Sequence, residues 1–115
     1  MIINFSNHST KHWEPTQLET AVQVYGSIID VEFPVISPYL TKLEIDSLAI
    51  KHVNSLVELE PQAIHIMGEL NFTLSCVEKL KKRNIKCVAS TSERETKYVD
   101  CTKISIFRFV QFREY

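Results

Sequence analysis

The chain has 115 residues, 44% of them hydrophobic and 23% charged, and a net charge of −1. That length supports one domain over residues 1–115 with a single core. The near-neutral charge removes the broad basic surface that long nucleic acid needs, yet leaves room for a small anion held by a few local groups. No apolar run approaches the roughly 18–20 residues of a membrane span. The opening Met1-Ile2-Ile3-Asn4-Phe5 lacks the regions of a signal peptide. A cytoplasmic chain with no membrane partner is therefore expected.

Cys76, Cys87 and Cys101 are odd in number and form no C-x-x-C pair. A disulfide framework or a zinc site would be spaced differently, so Cys76 and Cys87 read as reduced packing thiols. His8, His12, His52 and His65 share no ligand spacing either. No metal and no cofactor are expected.

In chain order, strand and helix alternate. Ile2-Ile3-Asn4-Phe5-Ser6 is a short apolar first strand, followed by a polar loop over Asn7–His12. Pro15 suits a helix start; Leu18, Ala21, Val22 and Tyr25 share one face of that helix, and Gly26 ends it. Ile28–Phe33 reads as a second strand, and Pro34 and Pro38 place the next segment in a loop. Thr41-Lys42-Leu43-Glu44 is a capping box that opens a helix reaching about Leu59. Ile45, Leu48, Ala49, His52, Val53 and Leu56 form its main stripe, with His52 expected as a satisfied core histidine. Leu43, Ile50 and Val57 lie on an adjacent line, and together the two cover an apolar arc of roughly 220°. One sheet does not usually cover that much, so part of the arc is expected to face a second subunit.

Ala63–Met67 is the third strand, and Gly68 turns it into the next helix. Without a Cβ, Gly68 is free to take positive φ and let a ligand come close, and the helix N-terminus behind it favours an anion. The plainer alternative is that Gly68 only makes the turn. Thr73, Cys76, Val77 and Leu80 share a face of that helix; Lys79, Lys81, Lys82 and Arg83 form its solvated basic end, and Asn84 caps it in the left-handed region. Ile85–Ser90 is the fourth strand, ending in the polar Ser90-Thr91-Ser92-Glu93-Arg94. The last strand, Ile104–Phe112, follows no helix and is expected to return antiparallel beside the fourth. Ile104, Ile106, Val110 and Phe112 are assigned to one face and Phe107 and Phe109 to the other, a pattern that needs cover on both sides.

This alternation predicts an α/β fold: a three-layer, Rossmann-like, mostly parallel sheet of about five strands with an antiparallel last strand. Ligands of such sheets sit beyond the carboxyl ends of the strands. Three polar stretches fall there: Ser6–Thr10, Gly68–Asn71 and Ser90–Arg94. No G-x-G-x-x-G, Walker lysine loop or G-x-S-x-G elbow occurs, which removes support from dinucleotide oxidoreductases, P-loop enzymes and α/β-hydrolases.

The opening Ile2-Ile3-Asn4-Phe5-Ser6-Asn7-His8, the Gly68-Glu69-Leu70-Asn71-Phe72-Thr73 turn, Ala89-Ser90-Thr91-Ser92-Glu93-Arg94 and the closing Phe107–Tyr115 resemble the small accessory proteins of type III CRISPR loci. Those proteins are similar to the CRISPR-associated Rossmann fold (CARF) that senses cyclic oligoadenylate. The resemblance implies a homodimer that binds cyclic oligoadenylate, cyclic tetra-adenylate above all, across its two-fold axis. It implies damping of the signal either by sequestration or by slow, metal-independent ring cleavage to a 2′,3′-cyclic phosphate. The family's usual basic residue near the glycine turn is replaced by Glu69, which shifts phosphate binding toward His8, Arg94 and backbone amides. Candidate ligand contacts are Ser6, Asn7, Thr10, Gly68, Glu69, Asn71, Thr73, Ser90, Thr91 and Arg94. Asn71 and Thr73 equally suit a helix cap, and Arg94 offers a two-point phosphate clamp. His8 is the candidate catalytic group because it is placed to shuttle a proton near neutral pH; its alternatives are a hydrogen bond to adenine or a loop cap. Two other readings stay open: a receptor or enzyme for another small phosphorylated ligand, and a purely structural interaction subunit.

Overall fold

The computed structural model describes residues 1–115. Strands β1 (Ile2–Ser6), β2 (Ile28–Asp30), β3 (Ala63–Met67), β4 (Lys86–Val99) and β5 (Thr102–Glu114) form one sheet, in the order β2-β1-β3-β4-β5. β1 pairs in parallel with β2 and β3, β3 in parallel with β4, and β4 antiparallel with β5. Helices α1 (Pro15–Tyr25), α2 (Lys42–Glu58) and α3 (Leu70–Lys82) cover it.

β1 and β3 are buried along almost their whole length. That is why their sequences run apolar instead of alternating: a central parallel strand is covered on both faces. Neighbouring residues still divide between the faces. Ile3, Phe5, Ile64, Ile66 and Cys87 pack beneath Ile45, Ala49, Val53 and Leu56 of α2 and Phe72, Cys76, Val77 and Leu80 of α3. Ile2, Ala63 and Val88 face the other way, toward Trp13 and Ala21. The result is a three-layer α/β architecture of Rossmann-like type.

The local signals at the helix ends hold. Thr41 Oγ1 accepts from the Glu44 N–H while the Glu44 carboxylate accepts from the Thr41 N–H. Gly26 takes φ +83° after α1, and Asn84 takes φ +59° after α3. His52 packs its ring 5.7 Å from Phe5 and 5.6 Å from Phe72. On α2, Ile45, Ala49, Val53 and Leu56 are buried, whereas Leu43 stays 78% and Ile50 50% exposed.

Three expectations are corrected. β2 ends at Asp30 instead of continuing to Phe33, and the Phe33 ring turns into the core, 5.1 Å from Phe5 and 5.3 Å from Phe72. The fourth strand does not stop at Ser90: Ser90–Arg94 is paired strand, and β4 runs to Val99. β4 and β5 therefore form a long hairpin closed by Asp100 (φ +49°) and Cys101 (φ +63°), two left-handed residues as a tight two-residue turn requires. The hairpin projects past the layered body, so the radius of gyration is 15.7 Å where a compact chain of this length would have about 13 Å. Finally, a bulge breaks the face assignment of the last strand. Thr91 pairs with Gln111 but Ser92 with Phe109, leaving Val110 as the extra residue. Phe112 consequently joins Phe109, ring centroids 4.9 Å apart, instead of Ile104 and Ile106.

Candidate functional site

In this strand order the sheet reverses direction of travel between β1 and β3, and the crevice above that point is where open α/β sheets place ligands. A pocket of about 360 Å³ opens there. Ser6, Asn7 and His8 line it from the end of β1, Met67 and Gly68 from the end of β3, and Ser90 from β4. His12 and Trp13, on the segment leading into α1, and Gln17 in its first turn close one side, and His65 forms the floor. A groove lined by Thr91, Ser92, Phe107 and Phe109 continues from it along the hairpin, sharing His8, His12, Gln17 and Ser90.

A directed chain of hydrogen bonds organises the floor. Asn4 and His65 are partners in the β1–β3 register. Asn4 Nδ2 donates to Asp30 Oδ1 and to the His8 carbonyl, each at 2.8 Å. Both are pure acceptors, which fixes the amide orientation. Asn4 Oδ1 then accepts from Ser6 Oγ at 2.7 Å and from His65 Nδ1 at 2.9 Å. His65 thus carries its proton on Nδ1, and Nε2 faces Ser90 Oγ at 3.2 Å. The Trp13 ring stands edge-on to the imidazole at 5.0 Å and Phe112 at 5.6 Å. Burial, reinforced by nearby His8, pushes the His65 pKa down to about 4, so the ring is neutral at physiological pH. For Asp30, burial acts upward but is outweighed by hydrogen bonds from Thr10 and Asn4, and its carboxyl sits below the usual value.

The pocket brings together five of the eleven expected residues: Ser6, Asn7, His8, Gly68 and Ser90. Ser6 spends its hydroxyl proton inside the network. Thr10 binds Asp30 through its Oγ1 at 2.7 Å, and Thr91 lines the adjoining groove and donates to the Gln111 carbonyl. The glycine turn differs from expectation. Gly68 does not take positive φ; a Cβ there would lie 2.3 Å from the Phe33 ring, so glycine is required by close packing. The α3 N-terminus is not open to an anion, because the Glu69 carboxylate already accepts from the Asn71 and Phe72 N–H groups at 3.1 and 2.7 Å. Asn71 is exposed and borders a separate depression with Asp46 and Ser75. Thr73 is buried within α3, its Oγ1 without a partner. Arg94 lies out on the hairpin, with Nε and Nη2 on Ser105 Oγ at 3.2 and 3.0 Å.

Asn4, Asp30, His12, Trp13, Gln17, His65 and Met67 were not singled out from the sequence. Asn4 and His65 did carry a signal: each is the polar interruption of an otherwise apolar central strand, and such a residue must find a buried partner.

A crevice of this kind at the switch point of a Rossmann-like sheet defines an α/β protein with a candidate pocket for a small polar ligand. The chain belongs to the Uncharacterized protein MJ1673 family, whose family model matches residues 1–113. No curated protein and no solved structure matches it. No helix is long and apolar enough to cross a membrane.

Proposed function

We propose that the protein binds cyclic oligoadenylate, with cyclic tetra-adenylate the best fit, and damps type III CRISPR signalling by holding the messenger. Sequence resemblance to the small CARF-like accessory proteins supports the ligand class. The observation that carries the reading is the pocket at the β1–β3 switch point, with aromatic Trp13 beside hydrogen-bonding Asn7, Gln17 and Ser90. At about 360 Å³ it lies near the lower end of ligand sites. It suits one nucleoside unit, so a four-membered ring calls for two copies of the chain in a homodimer whose two-fold matches that of the ligand.

Sequestration is favoured over cleavage by the pocket's electrostatics. No lysine or arginine lines it, and His65 is neutral, so little is present to stabilise charge developing on a transferring phosphate. Ring cleavage by the ligand's own 2′-hydroxyl remains the second reading because His8 and His12 stand at the pocket mouth. In that reaction the 2′-oxygen bonds to phosphorus while a histidine takes the hydroxyl proton, and the bond from phosphorus to the neighbouring 5′-oxygen breaks as that oxygen takes a proton from the other histidine or from water. Incubating the chain with cyclic oligoadenylates of different ring sizes in a chelator, then measuring both retention and product, tests both. Retention of intact four-membered ring is expected. A 2′,3′-cyclic phosphate product that disappears in His8→Ala would replace sequestration by catalysis, and retention of no ring would remove the ligand class.

A further inference from the structure

The directions of the hydrogen bonds around Ser90 determine what the pocket floor can recognise. Because Asp30 holds Asn4 Nδ2, Asn4 Oδ1 must face His65, and His65 must donate from Nδ1 and leave the Nε2 lone pair toward Ser90 Oγ. The second neighbour of Ser90 Oγ is the Met67 thioether at 3.1 Å, again an acceptor. Ser90 therefore has one proton facing two internal acceptors. Neither neighbour donates to the oxygen lone pairs, and Ser90 lines the pocket.

We propose that Ser90 is a specificity-determining acceptor: at this point the pocket selects a ligand group that donates a hydrogen bond, a ribose hydroxyl or the exocyclic amine of a nucleoside, and rejects phosphodiester oxygen. The naming of a nucleoside rests on the reading above; the acceptor polarity rests only on the Asp30–Asn4–His65–Ser90 chain. A phosphodiester offers only acceptors and would meet Ser90 with no lysine or arginine in the lining to offset its charge. Burial keeps His65 neutral, so it does not become a donor that would reverse the polarity of Ser90. The nucleoside thus enters the pocket, and the phosphates of a ring stay at its mouth beside His8 and His12.

The test is an NMR titration of the full chain with adenosine, 2′-deoxyadenosine, 3′-deoxyadenosine, inosine and dimethyl phosphate, whose diester oxygens only accept. Adenosine is expected to shift the Ser90 and His65 resonances, and dimethyl phosphate to leave them unmoved. One of the analogues lacking a donor should bind about ten- to a hundredfold more weakly, the usual cost of a lost buried hydrogen bond; which one identifies the donor. Ser90→Ala should erase that discrimination while its amide spectrum keeps the native pattern, and Ser90→Thr, which retains the hydroxyl, should preserve it. The proposal is overturned if dimethyl phosphate shifts Ser90 as strongly as adenosine, if every analogue binds wild type equally, if Ser90→Ala discriminates as wild type does, or if no probe shifts Ser90 at millimolar concentration. Cyclic tetra-adenylate separates the two ideas. A ring that fails to bind while adenosine discriminates removes only the messenger reading, and a ring that binds without discrimination removes only this one.

Discussion

Burying His65 on β3 couples folding to pH. Its pKa is about 4 in the folded chain against an ordinary 6.5. Between those values the unfolded chain binds a proton that the folded chain does not. Stability is therefore fully present above about pH 6.5 and falls as pH drops toward 4, by about 3 kcal/mol. His52, also lowered by burial, acts with the same sign. Asp30, held below its usual 3.8, adds a loss that begins at still lower pH. Urea midpoints between pH 4.5 and 7.5 should rise with pH and then level; a flat profile would mean that His65 is not buried in its neutral form. At Gly68 the constraint is steric. Gly68→Ala should cost about 1–3 kcal/mol, as an overpacked core does, because the Phe33 ring must leave Phe5 and Phe72. Phe33→Leu should recover part of that loss in the double variant, and strict additivity in a double-mutant cycle would contradict the clash. The Asn4–His65 pair shows how far residues could be read from the sequence. Each was visible as a polar break in an apolar strand, but nothing local announces a partner 61 positions away.

Among the elements, α2 was legible to its first residue because a capping box is a local code, and Gly26 and Asn84 marked their helix ends for the same reason. β4 was not. Ser90–Arg94 has the composition of a turn, and its continuation lies on an arm whose outer residues are in solvent, so no alternation of apolar and polar residues marks it. What orders it is pairing with β5 across the hairpin, which the composition of Ser90–Arg94 itself does not reveal. The Asp100-Cys101 turn likewise lacks the glycine or asparagine that usually advertises a two-residue hairpin. The α3 N-terminus decides between the two readings its sequence leaves open, an anion site or a plain turn: Glu69 already occupies the free N–H groups. Glu69→Ala should lower stability by about 1 kcal/mol through the lost cap and leave ligand affinity unchanged. A loss of affinity with no loss of stability would return that turn to the binding site.

At the scale of the molecule, the layered architecture followed from strand–helix alternation, whereas the projecting hairpin did not. Its exposed apolar residues bear on the proposed homodimer. Phe107 is 60%, Val110 55% and Ile104 42% exposed along β5, which is also the free edge of the sheet. Long exposed edges invite pairing with another chain, and the apolar cover that the sequence demanded for this strand is not supplied within one copy. Wild-type protein should scatter light as a dimer at micromolar concentration. Phe107→Glu should scatter as a monomer with little change in melting temperature, because the side chain is not part of the core. Unfolding of that variant would assign Phe107 to the core instead, and a wild-type monomer would remove the dimer.

The central claim is that two copies share one cyclic ligand through the pockets above β1 and β3. Calorimetric titration of cyclic tetra-adenylate into the protein measures this most directly. One ring bound per two chains, with affinity reduced in Ser90→Ala, is the predicted result. One ring per chain, or no binding of a ring of any size, would contradict it.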